Sequence, residues 1–408
     1  MRRLLATVLA VAAVLPAGAA QADLNSTLTR QMRLAGSASG AYVVNLTDGT
    51  KEFAWRAGTQ RILASNTKLF TTAAALARFG TEGTLGTEVL GTGELTEDGI
   101  YDGDLYLRGG GDPTFGSRRF VSRSYGSGAS VETLAGLIDE TGVERVTGRV
   151  YGDESKHDSL RGGPDSGYGV SIWVGPLSAL SYNRGLADER GRGFQTDPPS
   201  FAAARLDAAL EARGVRVRLK PRSGATAVEA EVLASVDSPP MTTLVRITNK
   251  PSDNFFAELL IKDLAMQARG RGTTARGAGL AAGFARRLGA PARLVDGSGL
   301  SRGNRASPYR VVRLLQAMTE RDEFDAFYAS LPVAGRDGTL YDRMRSGPAR
   351  GHCRAKTGTL SNVSALSGYC TARSGDLYAF SLLMNGVYPS GARRLQDNIA
   401  QAIAGQAG

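Results

Sequence analysis

The chain has 408 residues, 42% of them hydrophobic, and a formal net charge of +10; it can bury a large core and is long enough for two or three folded units. The positive charge is spread, without basic runs interleaved with aromatics, which argues against nucleic-acid binding and is compatible with an anionic cell-wall neighbour. Two histidines, His157 and His352, are too few for a conventional histidine metal cluster and are expected at the surface, and Gly109, Gly110 and Gly111 lack the phosphate-loop pattern, so neither metal nor cofactor is expected.

At the start, Arg2 and Arg3 precede an apolar run from Leu4 to Leu15 and a small-residue site at Ala20, Gln21 and Ala22. Residues 1–22 therefore read as a cleavable signal peptide. The run falls short of the roughly 20 residues a membrane span needs, and Pro16 and Gly18 end it. Loss of the two arginines would lower the charge to +8. No cysteine follows the cleavage site and no later segment reads as a span, so an exported protein of the periplasmic or cell-wall compartment, without a stable membrane anchor, is expected.

Ala41–Asn45 and Phe53–Trp55 read as a hairpin turned at Asp48 and Gly49. Ser65 then opens a helix through Lys68, Leu69, Ala73, Ala74 and Leu76 that Gly80 ends. From about Thr87 to Asp237 short strands and glycine-rich turns take over, with helices expected near Val131–Glu140 and from Asp197 to Gly214. Helical patterns return at Phe255–Met266, Gly277–Leu288 and Pro308–Met318. A final sheet and a helix carrying Leu395, Ile399, Ala402 and Ile403 on one face close the chain. The expected organisation is a discontinuous catalytic domain, 23–86 plus 238–408, interrupted by an accessory region at 87–237.

Three short motifs carry chemistry: Ser65-Asn66-Thr67-Lys68, Ser252-Asp253-Asn254 and Lys356-Thr357-Gly358. Only 7 lysines occur, and Lys68, Lys250 and Lys356 stand in or beside these motifs. Residues three apart on a helix share a face, so the Lys68 amine reaches the Ser65 hydroxyl and can serve as its base if it is neutral. A free lysine has a pKa of about 10.4, so burial and a second cation, for which Lys356 is the candidate, are expected to favour the neutral form. At a helix start the Ser65 amide can contribute to an oxyanion hole.

Ser252 is expected to relay a proton to the leaving group, and the Asn254 amide to hold Lys68 and a substrate carbonyl. The competing reading is an ordinary helix cap before Phe255, and Ser181-Tyr182-Asn183 is a rival motif; Lys250 and Pro251, giving a rigid entry, favour Ser252. Lys356, Thr357 and Gly358 read as a strand edge that an extended peptide can join. There Lys356 and Thr357 attract a terminal carboxylate, Gly358 lets substrate approach, and the Thr359 amide completes the oxyanion hole. Cys353 and Cys370 flank this motif; if the hairpin turns near Ser361 and Asn362 they fall opposite each other, and a cross-strand disulfide is expected.

Together with Leu107–Pro113 (LRGGGDP), Lys250–Asn254 (KPSDN), Asp296–Arg302 (DGSGLSR) and Leu331–Leu340 (LPVAGRDGTL), the motifs make the chain resemble the D-alanyl-D-alanine carboxypeptidase/endopeptidase family, the low-molecular-mass class C penicillin-binding proteins. The resemblance implies an α/β, penicillin-recognising serine transpeptidase-like domain with a large insertion rich in short strands. It further implies a serine D,D-peptidase that acts on peptidoglycan stem peptides through an acyl-enzyme on Ser65 and is acylated by β-lactams. It also points to Asp153 and Arg302 as substrate-facing residues, although Lys156 and His157 stand where the family often places an aromatic. The alternatives are a β-lactamase and a non-catalytic peptidoglycan-binding scaffold.

Overall fold

The computed structural model describes residues 17–268 and 270–407. Residues 1–16 of the expected signal peptide lie outside the described residues. A helix spans Ala17–Leu34, and its Leu24, Leu28 and Met32 are buried.

The central element is a five-stranded antiparallel sheet built from both ends of the chain. Its order is Cys353–Leu360, Val363–Thr371, Leu377–Asn385, Ser39–Asn45, Lys51–Trp55, and Ser39–Asn45 joins the ends by pairing antiparallel with Leu377–Asn385. Side chains alternate across a strand. Ala365, Tyr369, Ala379 and Leu383 thus point into one core, with the helices Thr67–Phe79, Asn254–Gln267 and Pro308–Thr319. Leu366, Cys370, Phe380 and Leu382 point into a second core, against Ala17–Leu34 and Pro389–Ala404. Both faces are covered, so the three inner strands are buried along almost their whole length.

Cys353–Leu360 is an edge strand. The hairpin turns at Ser361 and Asn362, putting Cys353 opposite Cys370, and the two sulfurs are bonded.

The stretch between the first and second motifs builds a five-stranded and a four-stranded sheet. The fully buried residues of their shared core run from Val89 to Ala234, with Val236 packed against them. Val131–Asp139 starts behind Ser130, and Pro198–Glu211 behind Asp197, whose side chain accepts from the Ser200 amide. A short helix, Arg118–Tyr125, was not anticipated; its sequence is mostly polar, and its start is fixed by the Ser117 side chain accepting from Phe120. The region is not a detached lobe, since Val174 and Leu177 are buried in the core that holds Thr67–Phe79 and Asn254–Gln267.

Candidate active site

Ser65 sits on a single 3-10 turn, Ala64–Asn66, that runs into the helix Thr67–Phe79. The turn is wedged between two glycines. A Cβ on Gly299 would lie 1.9 Å from the Ala64 carbonyl oxygen, and one on Gly358 would lie 2.9 Å from that of Leu63. Gly358 was expected to make room for substrate; its missing side chain also admits the backbone that carries Ser65. Ala64 has φ of 46°, strain that the packing holds in place. Asn66 locks the turn to the edge strand: its Nδ2 donates to the Lys356 carbonyl at 2.9 Å, and its Oδ1 accepts from Ser367 at 2.6 Å.

Lys68 is fully buried. Its Nζ lies 2.7 Å from Asn254 Oδ1, 2.7 Å from the Ser298 carbonyl oxygen and 3.1 Å from Ser65 Oγ. Two of these neighbours can only accept. A neutral amine therefore spends both hydrogens on Asn254 and Ser298, and its lone pair is left facing the Ser65 hydroxyl. Burial lowers the Lys68 pKa to about 8, against the opposing pull of Asp253, Asp296 and Glu258.

Lys356 does not supply the expected second cation. It is also fully buried, its Nζ donates to the Thr357 carbonyl at 3.0 Å, and burial, aided by the charge of Lys68, pushes its pKa well down.

Behind Lys68, Glu258 Oε1 accepts from the amides of Gly297 and Ser298 at 3.1 and 2.8 Å. This fixes the peptide whose carbonyl holds Lys68. Asp296 ties the same loop by accepting from the Gly299 and Ser301 amides and from Asn304 Nδ2. Burial raises the pKa of both carboxyls. The loop lies in the DGSGLSR string, but a carbonyl acceptor leaves no mark in a sequence, and neither Glu258 nor Ser298 was singled out.

In the second motif the helix cap and the cleft residue are different side chains. Asp253 caps Asn254–Gln267, accepting from the Phe256 amide at 3.0 Å, and is held by Arg184 at 2.7 and 3.2 Å. That leaves Ser252, in the left-handed region at φ 65°, on the cleft wall. Lys250 buttresses the loop through Asp337 at 2.6 Å, which draws in the LPVAGRDGTL segment. The rival Ser181 and Asn183 are buried; Ser181 donates to the Ser178 carbonyl, and Asn183 accepts from the Ser117 amide.

The start of the edge strand is covered: the Ala355 amide donates to the Pro332 carbonyl, and the Ala334 amide to that of Cys353, each at 2.9 Å. The two-residue period turns the amides of Thr357 and Thr359 the same way, onto the uncovered part of the edge. There a cleft of about 940 Å³ opens, lined by Ser65, Ser252, Asn254, Thr357 and Thr359, with Trp173, Leu300 and Arg393 among its other walls. A smaller groove of about 270 Å³, whose walls include Ala74, Leu264, Gly279 and Phe284, contains no nucleophile.

Two expected residues do not line this cleft. Asp153 is buried; its Oδ2 accepts from the Thr226 amide and hydroxyl, and its Oδ1 from the Ser155 amide, so both oxygens are engaged within the protein. Arg302 is exposed and donates to the Ser361 carbonyl on the hairpin turn. His157, expected at the surface, is buried and lies 2.8 Å from Asp263 through Nε2.

Residues 20–186 and 191–406 match the family model described as D-Ala-D-Ala carboxypeptidase 3 (S13). The chain is 30% identical to a D-alanyl-D-alanine carboxypeptidase of Actinomadura sp. (strain R39), over 92% of this chain and 82% of that protein. It is also 30% identical to carboxypeptidase DacB of Mycolicibacterium smegmatis, over 83% and 74%. Among solved structures it resembles penicillin-binding protein 4 of Haemophilus influenzae, with a TM-score of 0.76 and 21% identity over 91% of this chain and 97% of that one. A penicillin G-acylated predatory endopeptidase of Bdellovibrio bacteriovorus matches with a TM-score of 0.55 and 18% identity, over 90% and 93%.

Proposed function

The chain belongs to the D-Ala-D-Ala carboxypeptidase 3 (S13) family and has its penicillin-binding fold, and from that premise we propose that it is a serine D,D-peptidase working through an acyl-enzyme on Ser65. The observation that carries the reading is the Lys68 amine, held by two obligate acceptors with its remaining direction toward Ser65 Oγ.

In this reading a stem peptide ending in D-Ala-D-Ala lies along the open edge of Cys353–Leu360. Lys68 takes the Ser65 proton as Oγ attacks the penultimate D-alanine carbonyl, whose oxygen is met by the Ser65 and Thr359 amides. Ser252 passes a proton to the leaving amine, and Asn254 holds Lys68 in register. Lys356 fixes the strand, with Thr357 and Thr359 beside the leaving group. Water then frees the enzyme. If the amine belongs to a terminal D-alanine the outcome is carboxypeptidase action; if it belongs to a cross-link, endopeptidase action. A β-lactam enters the same path and stays on Ser65. Export to the periplasmic or cell-wall compartment fits the substrate and the expected signal peptide, and among the described residues no helix is long and apolar enough to cross a membrane.

The test is a labelled penicillin. Incubated with the protein and mapped by peptide mass, it should appear on Ser65 and be missing from Ser65→Ala; folded parent protein that takes no label would point to a non-catalytic scaffold.

A further inference from the structure

The proposed substrate brings a carboxylate into the cleft one residue beyond the scissile amide, and an anion there needs a reachable cation. The motif lysines do not provide it, since Lys68 and Lys356 are both 0% exposed and turned to internal acceptors. Three arginines stand nearby. Arg343 lines the cleft but is spent on Asp397, at 2.7 and 2.9 Å, and on Gln396 at 3.2 Å. Arg302 does not itself line the cleft; it donates to the carbonyl of Ser361, a residue of the cleft rim, and so is held by the hairpin turn.

Arg393 differs from both. It projects from the helix Pro389–Ala404, lines the cleft and is exposed. Among the described residues it is in no ion pair, and its Nη2 lies 3.3 Å from Thr359 Oγ1. Thr359 is the strand residue whose amide faces the open edge. The cleft wall also carries the exposed Asp342, so the wall is not uniformly positive.

Resting on the D,D-peptidase reading, we propose that Arg393 recognises the α-carboxylate of the leaving D-amino acid, side by side with the Thr359 hydroxyl. A guanidinium offers a planar fork that matches a carboxylate, which a lysine cannot reproduce. The preference it creates is for a leaving amine bearing an adjacent carboxylate, whether that residue is terminal or carries a longer side chain.

The experiment compares kcat/KM for an acyl-D-Ala-D-Ala peptide and for its C-terminal carboxamide, in the parent protein, Arg393→Gln and Arg393→Lys, with thermal melting of each variant to establish folding. The parent should prefer the acid, and less so as salt rises, because the site is exposed. Arg393→Gln should cut the acid-over-amide ratio by roughly 10- to 100-fold, the worth of a hydrogen bond to a charged group, and Arg393→Lys should restore part of it. An unchanged ratio in a folded Arg393→Gln, or equal losses on both peptides, overturns the assignment while leaving the peptidase reading intact. A parent protein that cleaves neither peptide and takes no penicillin on Ser65 overturns that reading, and the assignment with it.

Discussion

The buried helix Asn254–Gln267 carries two polar clusters that differ in kind although they share burial and displaced pKa values. At its start, Asn254 and Glu258 hold Lys68 and the loop behind it. One to two turns later, Lys262 is paired with Asp158 at 2.6 Å and Asp263 with His157 at 2.8 Å. The later cluster is at least as perturbed: burial lowers the His157 pKa to about 3, raises that of Asp263 far above the carboxylate range and raises that of Asp112 to about 7. Yet His157, Lys262, Asp263 and Asp112 are all closed off by protein, whereas the Lys68 amine faces Ser65 on the wall of an open cleft. Burial and a shifted pKa therefore do not by themselves mark a reactive site; a lone pair aimed at a nucleophile that a ligand can reach does.

Removing Lys68 breaks the comparison most sharply. Lys68→Ala should slow acylation of Ser65 by roughly 100- to 10,000-fold, the range of a lost general base, while the protein stays folded. The parent should show the matching pH profile. With a Lys68 pKa of about 8, the neutral amine is the minor form below that pH. The acylation rate should then climb about tenfold per pH unit up to it and level off above. Stopped-flow labelling with a penicillin measures both effects, and a flat profile in the parent would remove Lys68 from the role of base.

The closed cluster should respond in stability instead. Burial drives the His157 pKa down and the Asp263 pKa up, and both shifts favour a neutral pair, an imidazole and a carboxylic acid, over ions. An amide then substitutes well for the acid, so Asp263→Asn should cost less than about 1 kcal/mol. Asp263→Ala leaves a buried ring nitrogen unpartnered and should cost about 2–3 kcal/mol. Denaturant unfolding measures the two, and a large loss in the asparagine variant would mean that the pair is charged. The acylation rate should hold in both variants.

This contrast also explains what a reader of the sequence could see. Ser65 and Lys68 announce themselves because their chemistry requires a fixed helical spacing, and the cysteine pair follows from the hairpin register. The helix start at Asp197 was legible because capping is local. His157 was misplaced at the surface because its partner Asp263 is 106 residues away and its burial is decided by packing between distant segments. That Leu63 and Ala64 pack against Gly358 was not legible, because they lie almost 300 positions away along the chain. The Ser298 carbonyl and the cleft-facing Arg393 depend on long-range contacts that spacing does not encode.

Asp153 offers the smallest and most discriminating test, because position in the sequence and geometry assign it opposite roles. A residue that holds substrate would change KM when altered; one that ties two loops would change only stability. Hydrogen bonds from Thr226 and Ser155 outweigh burial and hold the Asp153 pKa below its ordinary value of 3.8. Its stabilising contribution is accordingly complete above that value and lost as the pH falls through the lower, folded-state pKa. Asp153→Asn keeps one acceptor oxygen but sets an NH2 against a backbone N–H, that of Ser155 or of Thr226, so a loss of about 1–2 kcal/mol is expected. The loss should be confined to the inserted region and read as faster amide exchange around Thr226. Both kcat and KM should be unchanged, because Asp153 is buried and both its oxygens are held by the protein. A raised KM with normal exchange would return Asp153 to the substrate side and show that its bonds to Thr226 open when a peptide arrives.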